Sequence, residues 1–341
     1  MVSRAGNQGR SFASAQQVAD RAGVSRSAVS RTFTAGASVS ATTRHKVLAA
    51  AEALGYHVNH LARGLIQERT GIICLIVADA HTPNHARMLE ALTRHLQEVN
   101  KVAMVINTSG ARESVERAVR QTLHYRADAT VVLSGTPPGS LIDTCINNGQ
   151  RVILINRDEY KNGPASVMVD NQHAAREAFS MFRRAGCEKF AVVSSSAGTP
   201  SLIGRETAFV AVAKAAGFDV SVVRHGATAY ASGGEAAHML LSRADRPTAV
   251  FCVTDLLALG LMDAARHAFA LNIPDELCVI GFDDIPEAGW DSYRLTTFRQ
   301  PIEEIAGWVV GVLDTAATGR AAARSTLLQA DPVWRQSVRP R

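Results

Sequence analysis

Seven short apolar runs recur along most of the chain, and stretches with helical patterning alternate with them. The runs form two series, at 71–79, 101–109, 129–135 and 151–157, and then at 189–196, 248–254 and 277–284. Continuously apolar runs between amphipathic helices are typical of buried parallel strands in βαβ units. The pattern therefore predicts two similar α/β lobes with parallel sheets, one on either side of about residue 165.

The residues that follow these runs are the candidates for ligand binding, because ligands of open α/β sheets bind beyond the carboxyl ends of the strands. They are Asn84, His85, Asn156, Arg157 and Asp255, together with Arg205 near the start of a helix and Asp283 after the last run. A guanidinium and a carboxylate that face one cleft would bind a polar or hydroxylated small molecule. The alternatives are that these side chains cap helices, or that Arg205 and Asp283 pair with each other.

The positive charge of the chain is concentrated in its first 70 residues. These hold 9 lysines and arginines against 3 acidic residues, a net charge of +6. Residues 71–341 hold 27 against 28, a net charge of −1. A small basic segment attached to a near-neutral body indicates a module that binds a polyanion.

Helix signals divide this basic segment into three short helices. Serine caps are expected to open all three, at Ser14 (with Gln17 completing a capping box), Ser25 and Ser40. The predicted spans are 15–22, about 26–33 and about 41–54, and Gly23 ends the first. Two short helices joined by a glycine-containing turn have the spacing of a helix-turn-helix.

The second of these helices carries the candidate base contacts. Its exposed polar residues are Arg26, Ser27, Ser30 and Arg31. The N-terminal residues of a recognition helix reach base edges in the major groove, where arginine suits guanine. Phosphate contacts are expected from Ser25, Thr43, Arg44 and His45. A solvated surface helix is the alternative interpretation of the same pattern.

Residues 18–65 resemble the DNA-binding head of the lactose-repressor (LacI/GalR) family. The matching elements are VA…AGVS…VSR, then VS..T..KV..A...LGY, then N..AR.L. The resemblance implies that Arg26, Ser27 and Arg31 contact bases. It also implies a hinge helix in the minor groove, with contacts from Asn59, Ala62 and Leu65, in which Leu65 wedges a central base step. A homodimer on a near-palindromic double-stranded DNA operator follows from the same resemblance.

The body resembles the same family more loosely, through VMVDNQHAA, GRETAF, CVTDLLALGLMDA, IPDELCVIGFDD and LTTFRQP. The implied body has two lobes like those of periplasmic sugar-binding proteins, with an effector between them. Arg205 and Asp283 match effector-contacting positions of the family, and Tyr230 lies near a position where an aromatic covers the ligand. Thr254 and Asp255 stand where relatives often carry Asn-Asp, so a known sugar preference is not transferable.

These observations predict four segments. They are a flexible extension at 1–13, a helix-turn-helix domain at 14–58, a hinge helix and linker at 59–69, and a two-lobe effector-binding and dimerisation domain at 70–341. The first lobe is expected over about 70–165 and 298–324, and the second over about 166–297 and 325–338. The chain would then cross between the lobes near 165, 297 and 325.

The sequence offers no catalytic signature. It contains neither a phosphate-binding glycine loop, nor a G-x-S-x-G elbow, nor an H-E-x-x-H pair, so we expect no enzyme activity, cofactor or metal. Five scattered cysteines form no C-x-x-C pair, which argues against a disulfide framework. No apolar run reaches the ~18–20 residues of a membrane span, and the N-terminus lacks a signal-peptide core. A cytoplasmic, nucleoid-associated protein without a membrane partner is expected.

Two hypotheses from different classes remain at this point. The first is an effector-responsive transcription regulator, a repressor, and the second is a solute-binding module without a DNA role. The localised charge and the missing signal peptide favour the first. For the effector, a sugar or sugar derivative is expected, with a purine-like ring as the alternative.

Overall fold

The computed structural model describes residues 12–34, 36–58, 69–109, 111–157, 163–315 and 325–339. The chain divides into two units, Met1–Thr70 and Gly71–Arg341. The predicted hinge residues Asn59, Ala62 and Leu65 lie outside the described residues. Within the described ranges, none of the helices is both long enough and apolar enough to cross a bilayer.

The described residues of the first unit form three helices, α1 (Ala15–Ala22), α2 (Arg26–Thr32) and α3 (Ala41–Leu54). The predicted caps are confirmed. Ser14 and Gln17 form the capping box, Ser25 and Ser40 accept from backbone N–H groups one turn on, and Gly23 ends α1 with a φ of 65°. Serine oxygens at these positions accept hydrogen bonds from first-turn N–H groups, which have no acceptor within the helix.

A small apolar core joins the three helices. Its buried members are Val18, Ala19, Val29, Val47, Ala50 and Ala51. Leu48 follows the buried Val47 but is 47% exposed, since it lies one position away from the buried face of α3.

The described residues of the second unit form two parallel sheets. The strands of the first sheet are β1 (Ile72–Ala78), β2 (Val102–Thr108), β3 (Ala129–Val132), β4 (Arg151–Ile155), β5 (Ala165–Val169) and β11 (Ser325–Leu328). Their order across the sheet is β11-β5-β4-β3-β1-β2. The helices of this lobe are α4 (Pro83–Glu98), α5 (Arg112–His124), α6 (Gly139–Asn147) and α11 (Ile302–Thr315).

The second sheet has the order β7-β6-β8-β9 and is also parallel. Its strands are β6 (Phe190–Ser194), β7 (Val220–Arg224), β8 (Ala249–Cys252) and β9 (Cys278–Ile280). The helices are α7 (Asn171–Arg184), α8 (Pro200–Ala215), α9 (Tyr230–Leu241) and α10 (Asp255–Ala268). A two-stranded antiparallel ribbon, β10 (Thr297–Arg299) with β12 (Asp331–Val333), completes the unit.

Strand pairing corrects the predicted lobe boundaries. Residues 165–169 pair with β4, and Ser325–Leu328 pair with 165–169, so both segments belong to the first sheet. Two of the crossings therefore lie a few residues later than 165 and 325, after β5 and after β11. The prediction misassigned β11 to the second lobe because strand pairing is a long-range contact that local patterning does not encode.

Candidate functional site

The N-terminal half of α2 presents a polar, exposed surface. Ser25 accepts from the Ala28 N–H at 3.2 Å and lies 2.9 Å from the Ser27 hydroxyl, which fixes the first turn. Arg26, Ser27, Ser30 and Arg31 are all exposed on this helix. Val29 is buried against α1 and α3, so the opposite face anchors α2.

Two of the predicted phosphate contacts also hold the head together. The guanidinium of Arg44 donates to the Thr32 carbonyl at 3.0 Å and so joins α3 to the end of α2. The Thr43 hydroxyl accepts from Ser40 at 2.8 Å within the cap of α3. Arg44 is nevertheless exposed, so a phosphate contact from its remaining N–H groups stays a prediction.

A cavity of about 310 Å³ lies between the two lobes of the second unit, at the carboxyl ends of their strands. Side chains of both lobes line it, and the polar ones outnumber the apolar ones. The lining residues are Ala78, Asp79, Thr82, Pro83, Asn84, His85, Ser109, Ser134, Gly135, Arg157, Ala197, Thr199, Leu202, Arg205, Thr228, Thr254, Leu256, Asp283 and Ile285.

Six of the nine predicted effector residues line this cavity, namely Asn84, His85, Arg157, Arg205, Thr254 and Asp283. The other three do not, and each has a structural hydrogen bond instead. Asn156 accepts from the Val169 N–H at 3.0 Å, and Asp255 accepts from the Ile285 N–H at 2.9 Å. Tyr230 donates to Asp263 at 2.5 Å on a half-exposed surface of α9, so its predicted place over the ligand is not the one observed.

Arg205 and Asp283 face the cavity and also pair with each other. Their side chains are 4% and 8% exposed, and Arg205 Nη1 lies 3.4 Å from Asp283 Oδ1. The same nitrogen donates to the Val253 carbonyl at 2.8 Å, and the guanidinium stacks over Phe282 at 3.7 Å. Gln300 donates to Asp283 Oδ1 at 2.6 Å. The mutual ion pair is therefore observed, while contact of these two side chains with a ligand stays a prediction.

Burial shifts the pKa of each partner in the direction that favours its neutral form. Desolvation lowers the pKa of Arg205, and the charge of Asp283 opposes that shift. Desolvation likewise raises the pKa of Asp283, against the charge of Arg205 and the bond from Gln300. Arg205 and Gln300 both contact Oδ1 of Asp283, so within the described residues Oδ2 is the oxygen that a hydroxyl donor would meet.

Three polar atoms of the cavity wall have no hydrogen-bond partner among the described residues. They are Asn84 Oδ1, Thr254 Oγ1 and Arg205 Nε. Buried polar groups in native proteins are almost always paired, so such a concentration in one cavity indicates groups that a ligand satisfies. An acceptor, a hydroxyl and a donor together fit a molecule that carries several hydroxyl groups.

The prediction missed several polar residues of the cavity. Ser134, Thr199 and Thr228 line it, and Gln300 supports Asp283 from behind. Ser134 lies two residues beyond the end of β3, so the same strand-end rule would have found it. Thr228 follows β7, a strand that the apolar pattern did not reveal. In the described ranges, no three His, Cys, Asp or Glu side chains are grouped to hold a metal ion.

Comparison with known proteins identifies the class of this chain. A model of bacterial regulatory proteins of the lacI family matches residues 15–59, and a model of the periplasmic binding protein-like domain matches residues 179–338. The HTH-type transcriptional regulator GalS of Salmonella typhimurium is 30% identical over 334 residues, which cover 95% of this chain and 97% of GalS. The chain therefore belongs to the lacI family of bacterial regulatory proteins and is a DNA-binding transcriptional regulator.

Solved structures share the fold of the whole chain. The lac repressor dimer bound to operator and the anti-inducer ONPF has a TM-score of 0.87 at 21% identity and covers 96% of this chain and 99% of its own. A complex of the transcriptional regulator CelR with cellobiose has a TM-score of 0.70 at 23% identity, with coverage of 95% and 99%. The helix-turn-helix head and the two-lobe α/β body are thus the predicted fold.

Proposed function

We propose that this chain is a repressor that binds a near-palindromic operator as a homodimer and is controlled by a sugar or sugar derivative. It acts by binding and not by catalysis, on nucleoid DNA in the cytoplasm. The observation that carries the proposal is the unsatisfied polar lining of the cavity between the lobes, in a chain whose first unit is a basic helix-turn-helix.

The exposed face of α2 supports specific DNA binding. Arg26 is the first residue of α2, next to its serine cap, and its side chain is exposed to solvent, where a guanidinium is available to a DNA groove. Arginine bound to guanine O6 and N7 is the commonest specific contact to a base. The net charge of +6 in residues 1–70 supplies the phosphate attraction.

Binding to a duplex selected by the full-length protein from a random library tests this role. Arg26→Ala should reduce the preference for the selected duplex over a scrambled one by about 1–3 kcal/mol. Arg21→Ala, which removes an exposed arginine of α1, should lower the affinity for both duplexes by the same factor. Equal losses on both duplexes for the Arg26 variant would contradict base reading, and a salt-independent affinity would contradict DNA binding as a whole.

The composition of the cavity supports a sugar as the effector. Hydroxyls need both donors and acceptors once they leave water, and Arg205, Asn84, Thr254 and Asp283 offer both kinds. Among the described residues, no Phe, Tyr or Trp side chain lines the cavity, and the imidazole of His85 is the aromatic ring that does, whereas a purine would gain from a larger ring to stack on. A volume of about 310 Å³ is at the small end of ligand pockets, which suits a small carbohydrate. CelR, with the same fold, holds cellobiose.

A thermal-shift screen of sugars, sugar phosphates and nucleobases tests the effector class, because a ligand that binds only the folded state raises its stability. We expect a carbohydrate to give the largest shift and to change operator affinity. A shift with a nucleobase and with none of the carbohydrates would overturn the sugar assignment and leave the regulator intact. Sedimentation of the full chain on the selected duplex should give two chains per duplex.

A further inference from the structure

Three helices of the second unit begin at the cavity between the lobes. They are α4, α8 and α10, with 16, 16 and 14 residues. Residues at the start of each helix line the cavity, namely Thr82 and Asn84 for α4, Thr199 and Leu202 for α8, and Thr254 and Leu256 for α10. The N-terminus of a helix carries a partial positive charge, because its peptide dipoles are aligned. The positive ends of three long helices therefore meet at this cavity.

A threonine stands at the N-cap of each of these helices, yet none of the three accepts a capping hydrogen bond from the first turn. The Thr82 hydroxyl instead donates to the Asp79 carbonyl at 3.0 Å, and the Thr199 hydroxyl lies 3.3 Å from that of Ser201. The Thr254 hydroxyl is buried and has no partner among the described residues. Threonine commonly caps helices, and the serine caps of the head all do so. The N-termini at the cavity therefore lack side-chain caps.

Arg205 adds a buried donor to one of these helix ends. It lies in the second turn of α8, and its side chain is 4% exposed. Its Nη1 bonds to Val253 and Asp283, whereas its Nε has no partner in the part of the chain that the structure describes. The guanidinium of Arg157 lines the cavity from the first lobe. A buried donor without an acceptor is unfavourable, so Arg205 Nε indicates that a ligand oxygen binds beside the start of α8.

We propose that the effector is an anionic carbohydrate, a sugar phosphate or a sugar acid, whose charged group lies at the N-terminus of α8. This inference rests on the proposed function, since it specifies the carbohydrate that the same cavity binds. The anionic oxygens accept from Arg205 Nε and from the N–H groups of Ser201 and Leu202, the first two that α8 has after Pro200. Helix N-termini bind anions through such N–H groups and through the helix dipole. The sugar hydroxyls donate to Oδ2 of Asp283, on the same cavity wall.

Calorimetric titration of the full-length protein with matched carbohydrates tests the charge. Each hexose is compared with its phosphate ester and with its uronic acid, and inorganic phosphate is added as a competitor. For one hexose, a charged form should bind roughly 10–100-fold more tightly than the neutral sugar, and whether that form is the ester or the acid identifies the anionic group. A neutral sugar that binds as tightly as both of its charged forms would overturn the proposal and leave the carbohydrate-controlled regulator intact. Binding of none of the carbohydrates would overturn the proposed effector class as well.

A pair of variants at the cap of α8 tests the position of the charged group. Thr199→Asp and Thr199→Asn both supply a good capping acceptor, so both should fold with a melting temperature at or above that of the parent. Only the aspartate places a negative charge at the helix end. It should weaken the charged carbohydrate by roughly 10–100-fold relative to the asparagine variant, because it repels the ligand and occupies its donors. Equal affinities of the two variants for that carbohydrate, or a larger contrast for Thr82→Asp and Thr82→Asn at α4, would overturn the assignment to α8.

Discussion

Asp283 holds its backbone in a conformation that few residues other than glycine adopt, with a φ of 126°, and Asp284 follows with a φ of 52°. Such strain persists only where the surroundings enforce it, and it clusters at ligand sites. Here Asp284 accepts from Arg299 at 2.7 Å and from Arg335 at 2.6 Å, while Gln300 holds Asp283. The strained pair directs the carboxylate of Asp283 into the cavity.

Because Arg205 and Asp283 form a buried ion pair, the variant Arg205→Ala is expected to change stability as well as effector binding. Removal of one partner of a buried ion pair leaves the other charge uncompensated, which typically costs about 3–5 kcal/mol. Arg205→Ala would therefore lose stability as well as effector binding, and the two losses could not be told apart. A side chain that lines the cavity without a structural bond is the cleaner probe.

Thr254 is such a side chain. Its hydroxyl is buried in the cavity wall and has no partner in the part of the chain that the structure describes, and the same holds for the hydroxyl of Thr130 in β3, away from the cavity. Thr254→Val should weaken the effector found in the thermal-shift screen by about 0.5–1.5 kcal/mol, the usual worth of one hydrogen bond, and leave the melting temperature nearly unchanged. Thr130→Val is the matched control and should leave effector affinity as it is. Calorimetric titration measures both, and equal affinities for the two variants would contradict the role of Thr254.

Asp255 gives the molecule a pH dependence that can be measured. Burial, and then the charge of Asp283, raises the pKa of Asp255 to about 7. In the unfolded chain the pKa is about 3.9, so between these values the folded state binds a proton that the unfolded state does not. The contribution of Asp255 to the free energy of unfolding is therefore fully present at low pH. It is lost as the pH rises through the folded-state pKa of about 7.

The variant Asp255→Asn keeps a neutral side chain of the same shape beside Thr297 and Ile285, which bond to the native carboxyl. We expect the parent to lose on the order of 1–3 kcal/mol more stability than the variant between pH 5 and pH 8. Urea unfolding at both pH values measures the difference. Parallel pH profiles for the two proteins would show that Asp255 is ionised in the folded state.

At the scale of elements, α9 and α10 approach each other through glycines. A Cβ on Gly260 would lie 1.9 Å from the Tyr230 carbonyl oxygen, and one on Gly233 would lie 2.1 Å from that of Leu257. Gly260→Ala should therefore destabilise the second lobe by about 1–3 kcal/mol or more, since backbone must move. Gly311→Ala on α11 meets no atom within 4 Å and should be neutral or stabilising by up to about 1 kcal/mol. Thermal unfolding of both variants checks the contrast.

Local signals predicted the elements that local chemistry determines. Serine caps and Gly23 gave the bounds of α1 and α3, and continuous apolar runs located seven strands of the two sheets. Most of the strands that escaped prediction are short or exposed, and the exception is β5, which has five residues and is mostly buried. β7 is largely solvent-facing at the edge of its sheet, and β10 and β12 have three residues each. Such segments owe their structure to a neighbouring strand, which their own sequence does not reveal.

The residues of the cavity were likewise only partly predictable from local sequence. Asn84, His85, Arg157, Arg205 and Asp283 were found because they follow strands or begin helices, where polar groups of both lobes meet. Thr254 was found through the family resemblance. Tyr230 begins a helix as well, but its hydroxyl bonds to Asp263 on the neighbouring α10. Which strand-end residue faces the cavity depends on packing between helices. The sequence pattern therefore identified candidate residues but could not show which of them line the cavity.

At the scale of the whole second unit, one hydrogen bond joins the lobes beside the cavity. Arg87 on α4 of the first lobe donates through Nη1 to the Asp284 carbonyl of the second lobe at 2.6 Å. The same helix presents Asn84 and His85 to the cavity. Arg87 thus lies one helical turn from Asn84, which faces the cavity, and its acceptor Asp284 adjoins Asp283 in the sequence. A ligand held by both lobes and this bond favour the same lobe arrangement.

We therefore expect Arg87→Met to weaken effector binding by about 1.5–3 kcal/mol, the usual worth of a hydrogen bond to a charged group, because the variant loses part of the preference for the arrangement that the ligand bridges. Arg94→Met is the matched control. Arg94 lies on the same helix but pairs with Glu303 of α11 within the first lobe, and both side chains are half-exposed or more, so its loss should change affinity and stability little. Titration of the effector into both variants, with operator affinity measured alongside, distinguishes a lobe contact from a surface ion pair. Equal effector affinity for the parent and the Arg87 variant would mean that the ligand alone sets the lobe arrangement.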